Sequence, residues 1–321
     1  MAEPAKLKPV SVTNASNLAG MKPADNAKAA SLPGGRRLKF SIITPSFRNS
    51  AWLKLCIASV ADQAGVELEH IVQDACSDDG TQDWLPHDPR VQAFIEKDSG
   101  MYDAVNRGYR RATGDILAYL NCDEQYLPGA LAAVEKFFQQ NPKIEVLLAG
   151  GIVTDGTGKY ICHRHALVPS QYYAWLRFSV LTSSVFIRRS VIHERGLYFD
   201  TNWRVVGDLH WVTAMQKAGV RMAVGDNFTS VFADTGDNLC LSPSAKLEKE
   251  KTMSMVPGWV KFLKPLWIVH HRLRRLLAGH FRIKPTSYSV YTMQSPDRRV
   301  IFDVPRPTSL WWTRTGSWIF L

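Results

Sequence analysis

The sequence predicts an α/β protein with a mostly parallel central sheet, helices on both faces, and a basic helical C-terminal extension. From Leu38 onward, short β-branched runs alternate with amphipathic segments, the pattern of strands connected by crossover helices. Each strand-like run is followed at once by a polar cluster, as expected where ligands bind beyond the carboxyl ends of parallel strands. Between Lys251 and Ser295 there is no acidic residue, while Lys261, Lys264, Arg272, Arg274, Arg275, Arg282 and Lys284 gather around apolar residues at helical spacing.

Taken in order, residues 1–37 are rich in Ala, Pro, Asn, Lys and Gly and lack apolar periodicity. They read as a disordered leader ending in the turn cluster Pro33-Gly34-Gly35-Arg36-Arg37. A strand over residues 38–44 leads to a helix over 51–64, then a strand over 68–73 that closes on Asp74. A short helix at 80–85, a strand at 91–95 and a helix at 101–112 come next. The strand 116–120, the helix 128–140 and the strand 144–148 complete the pattern. The main domain is expected over residues 38–235 and the extension over 236–321.

With 321 residues, 45% of them apolar and 21% charged, the chain can bury a substantial core and falls outside the disordered class. No apolar run reaches the roughly 18 to 20 residues that span a bilayer, and the N-terminus lacks a signal-peptide pattern, so a cytosolic protein is expected. Five scattered cysteines without a CxxC pair read as reduced and structural. A formal charge of +10 implies an acidic partner, which nucleic acid, anionic lipid and phosphorylated substrates satisfy equally well. Nucleic acid is disfavoured, because no stacking aromatics interleave the basic residues and no helix-turn-helix or zinc pattern occurs. A dinucleotide-dependent oxidoreductase is disfavoured because no G-x-G-x-x-G follows the first strand.

The residues after the strands are the candidate ligand contacts. Asn121, Asp123 and Glu124 follow the apolar run 116–120, offering oxygen ligands of the kind that suit Mg²⁺ or Mn²⁺; the same residues would serve equally as a polar loop capping the helix after Pro128. Asp74 and Asp79, in the run through Gly80 and Thr81, could accept hydrogen bonds from a base or ribose, or simply cap turns. In the segment 101–108, Asp103 and Asn106 share a helical face near an N-terminus suited to phosphate, while Tyr102, Val105 and Tyr109 look like core. Asp208 opens a helix and is either a catalytic carboxylate or an N-cap.

Together, Ser41-Ile42-Ile43-Thr44-Pro45-Ser46-Phe47, Asp74 through Thr81, Asp98 through Gly108, Thr113-Gly114-Asp115 and Leu120-Asn121-Cys122-Asp123-Glu124 resemble glycosyltransferase family 2. The resemblance implies the GT-A fold, that of nucleotide-diphospho-sugar transferases, and covers about residues 38–233. It further implies an inverting transfer from a nucleotide sugar, a UDP-sugar by default, to a saccharide or lipid-linked acceptor in polysaccharide or glycolipid assembly. By the same resemblance Pro45, Ser46 and Phe47 line the nucleoside pocket, Asp74 contacts the base, Asp123 is the foremost metal ligand and Asp208 is the catalytic base. The family's Asp-x-Asp reads Asn121-Cys122-Asp123 here, with Glu124 following, and Val105 stands where many members carry a phosphate-binding arginine. Those departures keep open a catalytically silent relative that binds nucleotide or a partner. A sugar nucleotidyltransferase lacks support, since Pro45-Ser46-Phe47-Arg48 replaces its glycine-rich basic loop.

Residues 258–277 form a basic amphipathic pattern that Pro265 should kink or split. Such a segment can lie on an anionic membrane surface at the inner face of the cell membrane, or pack its apolar side on the catalytic domain. The aromatic tail beyond Pro285, with Trp311, Trp312 and Trp318, has no assigned role.

Overall fold

The computed structural model describes residues 36–170, 172–176, 178–236, 238–281 and 284–311. Nearly all of the expected leader, and Trp312 and Trp318 of the tail, lie outside the described residues. Contacts group Gly35–Leu321 into one compact unit.

The chain opens with β1 (Lys39–Ser46), α1 (Ser50–Ala61), β2 (Glu67–Asp74), the short α2 (Thr81–Trp84), β3 (Gln92–Ile95), α3 (Met101–Arg111) and β4 (Ile116–Tyr119). These four strands are parallel in the order β3-β2-β1-β4. In β1, Phe40 and Ile42 point to one face and Ile43 to the other, the alternation a two-sided buried strand requires. On the first face Cys56 and Val60 of α1 pack with Leu131, Val134 and Phe138 of α4 (Ala130–Gln140). On the second face Val105 and Tyr109 of α3 meet Trp211, Val212 and Met215.

Beyond β4 the sheet becomes mixed. It continues through β8 (Val185–Arg188), β6 (Val146–Asp155), β9 (Met222–Asp234) and β5 (Glu124–Tyr126), with β7 (Tyr160–Arg164) paired to β6. β8 runs antiparallel to β4 and β6, whereas β9 is parallel to β6 and antiparallel to β5. Two helices follow β8, α5 (Arg189–His193) and α6 (Gly207–Lys217). The result is a GT-A architecture, a curled sheet most of whose strands run one way between two helical layers.

The expected elements up to residue 148 recur within a few residues. Two differences bear on the site. Residues 121–123 turn into β5 instead of leading straight to a helix; three residues are too few to show a period, and Gln125 is held by bonds to and from the backbone of Tyr291. The region after residue 236 is also more than helical. It holds α7 (Pro243–Ser254), α8 (Gly258–Phe262) and α9 (Lys264–Leu277), then a hairpin of β10 (Thr286–Thr292) and β11 (Ser295–Val304). Arg299 of β11 pairs with Asp62 at 2.5 Å and donates to the Tyr126 carbonyl, fastening the hairpin to the end of α1. The helix break falls at Leu263, with Pro265 in the first turn of α9 where its missing N–H is harmless.

Candidate functional site

The parallel register brings strand ends together: Ser46 lies beside Asp74, and Asp74 beside Ile95. A cleft of about 820 Å³ opens above them. Pro45, Ser46, Phe47, Asn121, Asp123 and Asp208 all line it, which unites six of the residues singled out from sequence. Ser46 is buried and its Oγ has no hydrogen-bond partner among the described residues, a state that costs stability unless a ligand supplies one. Phe47 is 55% exposed, an apolar face turned outward beside the cleft and covered on one side by Arg48.

Asp123 sits in the turn between β4 and β5. Burial raises its carboxyl above the usual range, against a hydrogen bond from its own backbone N–H, and its side chain makes no ion pair among the described residues. Asp98, across the cleft, is likewise raised, first by burial and then by Asp103 and Asp74. Asp98 also accepts from the Gly100 N–H at 2.9 Å and is attracted by Arg107, so of the two Asp123 is the carboxylate better placed to favour a bound cation. Among the described residues no three His, Cys, Asp or Glu side chains converge as an all-protein metal cage. A hard divalent ion that keeps waters and substrate phosphates in its shell needs only one or two carboxylates, and Asp123 with its neighbour Asn121 fits that demand. Glu124 is turned the other way. It is 2% exposed, its Oε2 accepts from the Asn121 N–H at 2.9 Å, and burial with the Asp123 charge pushes it up to about 8.

Asp208 occupies the first turn of α6 and lines both this cleft and a second cavity of about 440 Å³ behind it. Burial pushes its carboxyl up to about 6, against the Leu209 N–H, which donates to it at 2.8 Å, and the attraction of Lys249. Its backbone is fixed from two sides. Tyr102 of α3 donates its hydroxyl to the Val205 carbonyl at 2.9 Å and accepts from the Asp208 N–H at 3.2 Å. Glu248 of α7 accepts from the N–H groups of Arg204, Val205 and Val206 at 2.7, 2.9 and 3.0 Å. Gly207 is required by the same packing, since a Cβ there would lie 2.5 Å from the Tyr102 ring.

Four expected nucleotide contacts are not among the cleft-lining residues, because local structure satisfies them. Asp74 is fully buried and accepts from the N–H and hydroxyl of Ser77 at 2.8 and 2.7 Å. Asp79 accepts from the Ser50 N–H and the Thr81 hydroxyl, capping the start of α1 and of α2. Asp103 receives the Ser99 N–H and the Arg107 guanidinium. Asn106 is buried and bridges the backbone of Phe199 in both directions at 2.9 Å. Conversely, Asn49, Lys97, Arg204 and Tyr119 line the cleft and were not singled out. Lys97 could have been found, since it follows the third strand; Arg204 lies in an irregular loop with no local signal.

Fold and site thus define a nucleotide-sugar-transferase-like α/β protein with a carboxylate-lined cleft at its strand ends. Residues 41–196, just under half of the chain, match the family model described as Glycosyl transferase family 2. TuaG of Bacillus subtilis, named for teichuronic acid biosynthesis, is 32% identical over 105 residues, covering 31% of this chain and 42% of TuaG. A PGL/p-HBAD biosynthesis glycosyltransferase of Mycobacterium bovis is 33% identical over 124 residues, covering 37% and 48%. The matches therefore span under half of each relative. The structure of S. aureus TarS with UDP superposes with a TM-score of 0.51 at 18% identity, covering 67% of this chain and 64% of that one, a likeness of fold.

Proposed function

We propose that this protein is an inverting glycosyltransferase that moves a sugar from a nucleoside-diphosphate sugar to an acceptor hydroxyl during assembly of a cell-surface polysaccharide or glycolipid. The observation that carries the proposal is Asp208, a half-desolvated carboxylate with its pKa near 6 at the junction of two cavities. Such a group is ionised at neutral pH yet basic enough to accept a proton. The relatives named for teichuronic acid and glycolipid biosynthesis support the class of product.

In this reading the nucleoside diphosphate lies in the larger cleft, with the base against Phe47 and the unpartnered Ser46 hydroxyl supplying one hydrogen bond. UDP-sugars are the first donors to test. Arg204 and Lys97 offset phosphate charge, the role left vacant by Val105, which is buried in the core. Asp123, with Asn121 beside it, holds Mg²⁺ or Mn²⁺, which when bound neutralises charge on the departing diphosphate. Asp208 removes the acceptor hydroxyl proton as that oxygen attacks the anomeric carbon; the bond to the diphosphate oxygen breaks on the opposite face, inverting the centre.

No described helix is long and apolar enough to cross a membrane. On α8 and α9, Phe262, Leu266, Val269, Leu273 and Leu276 recur every three or four residues and are all exposed, with Lys261, Lys264 and Arg272 beside them. That outward apolar stripe supports a peripheral site on an anionic membrane at the cytoplasmic face. Full-length protein should float with anionic vesicles and a Leu266→Asp/Leu273→Asp variant should not; equal flotation would remove the membrane from the account.

The activity is tested by measuring donor binding and slow hydrolysis across a panel of nucleotide sugars with Mn²⁺, with Mg²⁺ and with chelator. Metal-dependent turnover of one donor is expected. A well-folded protein that binds none of them would contradict the proposal.

A further inference from the structure

The C-terminal hairpin reaches the candidate cation site from behind. Asp123 lines the large cleft on one side; on the other it lines a space of about 10 Å³ shared with Gln125, Thr154, Asp155, Tyr291 and Thr292. That space holds one water at most, so β10 stands as a close rear wall to the turn that carries Asp123. The Asp123 side chain makes no ion pair among the described residues, so the backbone on either side sets its position. β4, before it, lies inside the sheet. β5, after it, is a three-residue strand at the sheet edge, paired with β9 and too short to be held rigid by that pairing alone.

Two fastenings from the hairpin supply that restraint. A register shift between Val290 and Thr292 leaves Tyr291 out of the β10–β11 ladder. The Gln125 amide takes up both of its backbone groups instead, donating to the Tyr291 carbonyl at 2.8 Å and accepting from its N–H at 2.9 Å. Arg299 of β11 is the second fastening, with 11% of its side chain exposed. It donates to the Tyr126 carbonyl at 3.0 Å, to the Ser289 carbonyl at 2.9 Å and to both carboxylate oxygens of Asp62, and it lies 4.9 Å from the Tyr291 ring centre. Gln125 and Tyr126, two and three residues after Asp123, are thus both held from the hairpin.

Resting on the reading of Asp123 as the cation ligand, we infer that the C-terminal hairpin is a positioning element of the cation site: Gln125 and Arg299 fix β5, and β5 fixes Asp123 where a divalent ion and a diphosphate can share it. The hairpin lies outside the family-matched residues 41–196, so this restraint is added to the matched domain by the C-terminal part of the chain. Ser46 and Phe47 come from the end of β1 instead, so the nucleoside end of the cleft does not depend on it. Releasing a fastening therefore weakens the cation-dependent part of nucleotide binding and spares the rest.

Isothermal titration of the full chain with UDP, once with Mn²⁺ and once with chelator, separates the two parts. The factor by which Mn²⁺ tightens UDP binding should fall about tenfold in Arg299→Ala and in Gln125→Ala, while affinity in chelator stays within about twofold of wild type. Gln125→Ala removes no charge and keeps the test valid should the arginine variant not fold. Folded variants that keep the wild-type Mn²⁺ factor, or that lose UDP affinity equally with and without the ion, would overturn the inference. Hydrogen exchange on the ion-free protein gives a second readout. The amides of Glu124 and Tyr126, bonded to the Asn121 carbonyl and the Ser59 hydroxyl, should exchange faster in both variants. If Mn²⁺ leaves wild-type UDP binding unchanged, the cation reading of Asp123 falls and exchange decides alone: faster exchange upholds the hairpin as the element that fixes the turn, and wild-type exchange removes it.

Discussion

Through Glu248, α7, beyond the family-matched stretch, reaches the turn that carries Asp208. Its Oε1 accepts from the Arg204 N–H, and its Oε2 from those of Val205 and Val206, immediately before the α6 turn that presents Asp208. A hydrogen bond to a charged group contributes about 1.5 to 3 kcal/mol net. Here three bonds share one half-buried carboxylate, and water can replace part of what is lost, so Glu248→Ala should cost about 2 to 3 kcal/mol in total. Glu248→Gln keeps one oxygen, which can still serve Val205 and Val206, and should cost about 1 kcal/mol. Urea unfolding at unchanged m reads the stability difference as a shift in midpoint. Because a displacement of about 1 Å at the reacting groups can cost on the order of 10²-fold in rate, kcat should fall roughly 10- to 100-fold in the alanine variant and less in the glutamine variant. The donor KM should rise by less than kcat falls, since Glu248 is outside the donor cleft and reaches it only through the backbone of Arg204. An alanine variant with the wild-type midpoint and the wild-type kcat would refute the idea that α7 positions the base.

Three further substitutions probe the same site. Gly207→Ala drives a Cβ into the Tyr102 ring and should cost about 1 to 3 kcal/mol, read as a lowered Tm together with reduced kcat; a wild-type melting curve would contradict the packing described. Arg204→Ala should raise the donor KM about tenfold, the size of one exposed charge-assisted phosphate contact, and an unchanged KM would take Arg204 out of the donor site. Glu124→Gln concerns stability against pH. Glu124 titrates near 8 in the folded protein and at 4.5 when unperturbed, so its contribution is complete below about pH 4.5 and is lost as pH rises through 8. The glutamine variant should flatten the fall in stability between pH 5 and 8, and an unchanged slope would argue against a protonated Glu124.

Much of the fold could be read from sequence because β1, β2 and β4 are short apolar runs bounded by polar clusters, and α3 shows a clear apolar stripe. The antiparallel half of the sheet was less legible. β5 is three residues long, and β9 is held by pairing with β6 over a distant register that no local period announces. Ser46 and Phe47, singled out by the family resemblance, and Asn121, Asp123 and Asp208, singled out because they follow a strand or open a helix, all line the cleft. Asp79, Asp103 and Asn106 occupy family motif positions but direct their polar atoms to backbone groups, so motif spacing alone could not separate a ligand contact from a structural one. Glu248 and Arg204 were invisible for a different reason. Their roles arise from tertiary contact between α7, the 204–206 loop and α3, and nothing in their immediate neighbours marks them.

The account rests most heavily on Asp208 as the base, and the pH dependence of kcat for donor turnover tests this directly. With the carboxyl near 6 and the ionised form active, kcat should rise through about pH 6 and level off above pH 7. Asp208→Asn should retain donor binding, lose that acidic limb and turn over about 10² to 10⁴-fold more slowly. A folded Asp208→Asn protein with near-normal turnover and an unchanged pH profile would contradict the assignment.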